Sequence, residues 1–449
     1  MVNYFYSVVR NFLNSFLPTR VSKSFTADKP WVDDNFRLLI RRRQYAWQHN
    51  NVVEYKSLRN QVQRAAAKLR STYYMKRVRS LRQAGPRQWW QEVKKLTGQN
   101  SRNPLNTLAD NLFNGDMAGL ANGINSLFYS VSADLCPLDA SVIPTAPDVV
   151  PDQFIIESFV VERKLAAIDP HKSCGPDDIP NWLLRDFSRY LAEPVCAIFN
   201  SSVRLGVVPG LWKCANVVPL PKVNPPVSIE SDLKPISLTA TLSKILESFV
   251  GRWIFAEIDD KIDKRQFGAL RGRSTTHALI DILHHWHEAL NNNQSIRVLF
   301  IDYAKAFDHV DHTIVINRLV ELGVSDVLIR WVCSFLSHRT QRVKISDAFS
   351  EWLQLKGSMP QGSWLGPLTF IILINGLSAN CLLHKYFDDT TLSEFVPCGE
   401  LSVMDQHIAD VISWSQANLM NINWKKTKEM CVGPLVKHMI PLLNIDGNI

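Results

Sequence analysis

The segment Lys385-Tyr386-Phe387-Asp388-Asp389-Thr390-Thr391-Leu392 constrains the rest of the chain most strongly. Apolar residues on both sides of two adjacent aspartates predict a β-hairpin with Asp388-Asp389 at its tip. A tight hairpin favours Gly or Asn where φ must be positive, and neither is present. Two carboxylates about 5 Å apart also repel by roughly 3 kcal/mol at an effective dielectric near 20. Stability alone does not select such a pair. A hard divalent cation reverses the sign of that repulsion, because Mg²⁺ takes carboxylate oxygens and keeps coordination positions for phosphate.

A third carboxylate ends the apolar run Val298-Leu299-Phe300-Ile301-Asp302, which reads as a strand buried on both faces. It continues as Tyr303-Ala304-Lys305-Ala306-Phe307-Asp308. Between this run and the hairpin lies Met359-Pro360-Gln361-Gly362-Ser363-Trp364-Leu365-Gly366-Pro367, a Gly/Pro-punctuated loop leading into an apolar helix over Leu368–Leu377. The order Asp-x4-Phe, Pro-Gln-Gly, Tyr-x-Asp-Asp resembles the reverse transcriptases, and its wording is similar to the non-LTR (LINE-type) retrotransposon class. The resemblance runs from about Lys29 to the C-terminus.

The resemblance implies an α+β right-hand polymerase: fingers over residues 153–290 and palm over 291–449, with the thumb and any endonuclease missing. It implies RNA-templated DNA synthesis, in which a DNA primer 3′-hydroxyl attacks a dNTP on a retroelement RNA template. Asp302 and Asp388 would hold two Mg²⁺ (or Mn²⁺) ions, with a smaller share for Asp389. Lys222 and Lys234 match the positions that hold the triphosphate; Lys234 stands where the family usually has Arg and lacks its bidentate fork. Gln361 and Gly362 match positions lining the template and nucleotide pocket. Phe307 matches a steric gate against a ribose 2′-hydroxyl, although an aromatic here also suits palm core. Lys426, in Asn423-Trp424-Lys425-Lys426-Thr427, matches a lysine that protonates the leaving pyrophosphate; an exposed structural lysine fits equally. Trp364 and Phe387, the latter beside the nucleotide, are bulkier than the family's usual small aliphatics. These departures keep open a catalytically inactive nucleic-acid-binding remnant. An RNA-dependent RNA polymerase shares the metal logic, but Phe307 argues against it.

Charge adds an independent pointer. The net charge of +8 conceals an asymmetry: residues 1–100 hold 20 Lys and Arg against 5 Asp and Glu, the remainder 30 against 37. Such segregation suits a polyanion-binding N-terminal region. There, Tyr55, Leu58, Val62, Ala66, Leu69 and Tyr73 recur at helical spacing, while Arg64, Lys68, Lys76 and Arg77 are among the cations crowding the other faces. Trp89-Trp90 reads as core or interdomain packing rather than base stacking.

Residues 101–152, rich in Asn, Gly and Pro, read as a linker with one short helix near Leu120–Val131. Beyond it, Asp178 is placed to cap a helix with Pro180 in its first turn. Val217–Lys222 and Asp232–Leu238 read as a strand and its return. Leu238, Leu242, Ile245, Phe249, Trp253 and Ile258 form a core helix stripe. Arg271 and Arg273 suit a template phosphate. The eight cysteines are scattered without metal-ligand spacing, which favours free thiols, and no apolar run reaches membrane-spanning length. An intracellular location follows as an expectation. The closing Ile445–Ile449 reads as half a hairpin and hence as a truncation.

Overall fold

The computed structural model describes residues 1–17, 29–81, 85–86, 89–90, 93–94, 104–147 and 149–433, so the C-terminal turn expected at Ile445–Ile449 lies outside the described residues. The chain divides into two units, Met1–Arg10 with Pro104–Ile449, and Asn11–Asn103. Helix α1 (Val2–Phe16) begins in the first of these.

The Asn11–Asn103 unit contains α2 (Asp34–Gln48) and the 30-residue α3 (Val52–Leu81). The Asp33 carboxylate caps α2 by accepting from the Phe36 amide at 2.7 Å. Asn50, at φ +52°, lets the chain reverse into α3. Leu58 and Val62 are the most buried residues of the expected α3 stripe. Trp89 and Trp90 stay 40% and 59% exposed and pack edge-on against each other, so they are not core.

In the larger unit, α4 (Pro104–Phe113) and α5 (Met117–Ser130) stand where a linker with one helix is expected. Both are structural. Leu105, Leu108, Leu120, Ala121 and Ile124 form one core cluster with Val217, Leu233, Val343 and Ile345 of the first sheet. The Asn and Gly content of this segment disguised an amphipathic pair whose apolar faces are completed only by distant strands.

Helices α6 (Ser158–Ala166), α7 (Asn181–Asp186) and α8 (Ser188–Leu205) follow. The expected Asp178 cap does not form: Pro180 is the N-cap of α7, and Asp178 turns the preceding loop at φ +55°. Strands β1 (Cys214–Pro221) and β2 (Leu233–Leu238) are an antiparallel pair. Helix α9 (Thr241–Ile258) buries Leu242, Ile245, Phe249 and Ile258 of the expected stripe, while Trp253 is half-buried and Leu238 instead ends β2; α10 (Thr275–Asn291) leads into β3 (Ser295–Ile301). Next come α11 (His312–Glu321), α12 (Asp326–Leu336), β4 (Thr340–Ile345), β5 (Ala348–Phe349) and β6 (Leu353–Gln354). The chain closes with α13 (Leu365–Asn375), β7 (Leu382–Tyr386), β8 (Asp389–Val396), α14 (Met404–Ala417) and β9 (Lys428–Val432).

Two sheets result, and with the helices they make an α+β fold. The first runs β2-β1-β4-β5 with β6 also on β4; the second runs β7-β8-β3-β9. Residue 290 does not divide them. β4 returns to pair parallel with β1, Cys214 opposite Thr340, so residues 340–354 belong to the sheet that starts at Cys214. A parallel pair needs a long crossover, which local sequence does not announce. Among the described residues no helix is long and apolar enough to cross a membrane, and all eight cysteines are free.

Candidate active site

The second sheet is registered so that its acidic ends meet. β3 and β8 are antiparallel with Ile301 opposite Thr390, which carries Asp302 off the end of β3 beside the β7–β8 turn. Tyr386 pairs with Asp389, so the two-residue turn is Phe387-Asp388 rather than Asp388-Asp389. Phe387 supplies the positive φ, +57°, that a tight hairpin demands, a strain of about 1 kcal/mol or more for a residue with a Cβ. Asp389 begins β8 and is exposed.

Burial raises the proton affinity of Asp388, and the charge of Asp302 raises it further. Asp389, exposed but partly shielded from water by its neighbours, is raised by that partial desolvation, then by Asp388 and Asp302. Asp302 is held from the other side. Asn423 donates its Nδ2 to Asp302 Oδ2 at 2.9 Å, and Lys426 Nζ stands 3.2 Å from the same oxygen with its side chain 68% exposed.

Asp302 and Asp388 line a cleft of about 860 Å³ with Lys222, Lys234, Lys305, Phe307, Asp308, Gln361, Gly362, Asn423 and Lys426. Neither Asp389 nor Phe387 is among its lining residues. Among the described residues, no three His, Cys, Asp or Glu side chains gather to hold a metal ion by themselves. The donor set is therefore two hard carboxylates in mutual repulsion, which fits a divalent cation whose remaining positions are filled by phosphate or water. Asp389 is exposed at the start of β8 and outside this lining, although the charges of Asp388 and Asp302 still reach it.

The Pro-Gln-Gly loop is tied to the first sheet. Ser237 N–H donates to the Gln361 carbonyl at 2.8 Å. Gly362, at φ +125°, lies so close that a Cβ there would come within 2.8 Å of the Ser237 carbonyl oxygen. Gln361 Nε2 donates to Asp308 Oδ1 at 2.7 Å, which fixes the orientation of the amide. Burial pushes the Asp308 carboxyl up, opposed by this hydrogen bond and by Lys305, Lys234 and Lys222. The half-buried Phe307 ring stacks on Phe370 at 4.8 Å and lines the cleft. The Phe387 ring lies 6.3 Å from that of Phe307.

The two nominated arginines separate. Arg271 is exposed. Arg273 Nη1 instead donates to three backbone carbonyls, those of Asp263, Lys264 and Gln266, at 3.1, 2.9 and 2.6 Å. In the Asn11–Asn103 unit, Arg64, Lys68 and Lys76 are exposed on α3, while Arg77 donates to the Tyr73 hydroxyl at 2.7 Å and covers its ring at 5.3 Å.

Residues 220–442 match the family described as reverse transcriptase (RNA-dependent DNA polymerase). This part of the chain is a reverse transcriptase domain. It groups with enzymes of non-LTR retrotransposons. Three relatives from Drosophila melanogaster illustrate the range. A "Probable RNA-directed DNA polymerase from transposon BS" is 24% identical over 274 residues, 58% of this chain. A 115 kDa protein in type-1 retrotransposable element R1DM is 29% identical over 62% of the chain, and the RNA-directed DNA polymerase from mobile element jockey 25% over 52%. The matched segments span only 30%, 27% and 26% of those relatives' own lengths.

Within this reverse transcriptase domain, the cleft residues that received no role from sequence include Lys305, Asp308 and Asn423. Each lies inside a motif already singled out, five residues or fewer from a nominated one. Their signal was a polar residue beside a catalytic-type one. Only the fold reveals which of them turn inward.

Proposed function

We propose that this chain performs RNA-templated DNA synthesis: a DNA primer 3′-hydroxyl attacks the α-phosphate of a dNTP on a retroelement RNA template. The observation that carries the reading is one cleft gathering two carboxylates from the second sheet, lysines from the first, and the Pro-Gln-Gly loop between them. Asp302 and Asp388 would hold the two Mg²⁺ or Mn²⁺ ions. When bound, these supply Lewis-acid activation of the hydroxyl and charge neutralisation at the pyrophosphate.

The protein's own groups do the rest. Lys222, just past the end of β1, and Lys234, on the paired β2, belong to what we read as the fingers and attract the triphosphate, with Lys305 as a third cation. Gln361, its amide oriented by Asp308, and the close-packed Gly362 shape the nucleotide and template wall. Phe307, backed by Phe370, fills the volume a 2′-hydroxyl requires. Lys426, beside Asp302 and largely exposed, is the group assigned to donate a proton to the leaving pyrophosphate. The cations of α3 bind nucleic-acid backbone without reading sequence.

The test is extension of a primed RNA template with dNTPs and Mg²⁺. The parent chain should extend, and Asp302→Ala and Asp388→Ala should fall to background while remaining folded. A folded parent that never extends, or an Asp388→Ala protein that extends at the parent rate, defeats the reading.

A further inference from the structure

We infer that Arg273 and Gln266 are positioning residues for Asp388, through a staple that holds the β7–β8 turn from outside the cleft. The catalytic consequence rests on the proposed polymerase reading; the structural coupling does not.

The turn has a demanding geometry. Phe387 must hold φ +57° for Asp388 to project beside Asp302. Nothing in the two-residue turn enforces that, since neither residue is a glycine. The enforcement comes from residues 263–268, which lie along β7 as an added parallel segment. Phe267 N–H donates to the Lys385 carbonyl at 2.8 Å, and Lys385 N–H to the Arg265 carbonyl at 3.0 Å. The buried Lys385 ammonium adds an ion pair to Asp263 Oδ2 at 2.9 Å.

Gln266 is the hub. Its side chain is buried, and its Oε1 accepts from Gly268 N–H at 2.9 Å and from Phe387 N–H, the amide of the strained residue, at 3.4 Å. Gly268 is pressed against the same turn: a Cβ there would meet the Phe387 nitrogen at 2.6 Å. What keeps residues 263–268 in this shape is Arg273. One guanidinium nitrogen ties three of the segment's carbonyls, including that of Gln266. The rigid, planar guanidinium fixes where that nitrogen sits, a placement that a flexible lysine side chain does not reproduce.

Hydrogen-exchange mass spectrometry on the full chain tests the coupling directly. Arg273→Ala should speed exchange in the peptide covering Lys385–Asp388 by roughly tenfold, the scale of one lost hydrogen bond, with the β1–β2 hairpin unchanged. Arg273→Lys should fail to restore protection. If Arg273→Ala loosens β3 as well, Gln266→Met decides, because it removes the Oε1 acceptor at similar volume; the turn should again exchange faster. Unchanged exchange at the turn overturns the inference.

The salt dependence of nucleic-acid binding separates it from a phosphate contact. Its slope should not change in Arg273→Ala, whereas a fall of about 1 returns Arg273 to the template backbone. In primer extension, kcat should drop with little change in KM for dNTP. A folded parent that fails to extend counts against the polymerase reading, and the exchange result then decides the staple by itself.

Discussion

The side-chain amide of Asn423 donates to Asp302 Oδ2 at 2.9 Å, and its backbone N–H donates to the carbonyl of the same aspartate at 2.7 Å. Two bonds from one residue fix both the main chain and the carboxylate plane of Asp302. The strand end is further tied by Ala304 N–H to the Asn421 carbonyl at 2.8 Å. One oxygen of Asp302 is thus engaged by an amide, and the carboxylate is oriented before any cation arrives.

Outer partners of metal-binding carboxylates typically carry 10–100-fold in metal affinity or activity. Asn423→Ala is therefore expected to raise the Mg²⁺ concentration for half-maximal extension by about tenfold or more, with smaller effects at saturating Mg²⁺. Mn²⁺ binding followed by electron paramagnetic resonance gives the same comparison without turnover. Equal Mn²⁺ affinity in parent and variant would remove Asn423 from this role.

Phe307 is stacked on Phe370 at 4.8 Å, and the tilted Phe387 ring is 6.3 Å away. A ring packed in this way is expected to resist making room for an extra hydroxyl. Phe307→Val should increase ribonucleotide incorporation relative to deoxyribonucleotide. Matched extensions with rNTPs and dNTPs measure the ratio. If the ratio is the same in both proteins, the ring is core packing that happens to border the cleft.

Much of this site was legible because its parts are contiguous in sequence. The β1–β2 pair, the α9 stripe and the loop at Gln361-Gly362 each declare themselves within one local stretch of sequence. Partnerships across sequence were not legible. The parallel β1–β4 pairing depends on a long crossover, and the apolar faces of α4 and α5 acquire meaning only from strands more distant still. The two bulky departures show the same limit. The Trp364 ring packs where Gly251 has no side chain, and Phe387 lies against Gly268. Each large residue is accommodated by a glycine far away in the chain. Arg273 looked like a phosphate ligand because its charge is visible in sequence, whereas the carbonyls that take its hydrogens are not.

The exposed cations of α3 carry a separate expectation. Neutralising Arg64, Lys68, Lys76 and Arg77 together removes up to four phosphate contacts. Arg77, already bound to Tyr73, is the least available. The slope of log affinity against log salt should fall by about 3, with little dependence on nucleic-acid sequence. An unchanged slope would make this face a solvated surface and nothing more.

The N-terminus offers a test by pH. Tyr6 is buried; its hydroxyl donates to Asp177 Oδ2 at 3.0 Å and accepts from Trp212 Nε1 at 2.9 Å, while Arg10 donates to the Asp177 carbonyl at 3.0 Å. Burial pushes the Asp177 carboxyl up from 3.8 to about 6, against the lowering influence of the Tyr6 hydroxyl. Between those values the folded protein holds a proton that the unfolded chain releases, so stability falls as pH rises through the window and levels off above it. The gap of about two pH units sets an upper bound of roughly 3 kcal/mol. Asp177→Asn keeps an acceptor for Tyr6 and cannot ionise. It should match the parent near pH 4 and become progressively more stable than the parent up to about pH 6. Melting temperatures of both proteins across that range supply the measurement, with Trp212 fluorescence as a local probe. A parent–variant difference that does not change with pH would mean that Asp177 titrates like an exposed carboxylate, and that residues 1–10 are held by the apolar packing around Phe5, Tyr6 and Val9.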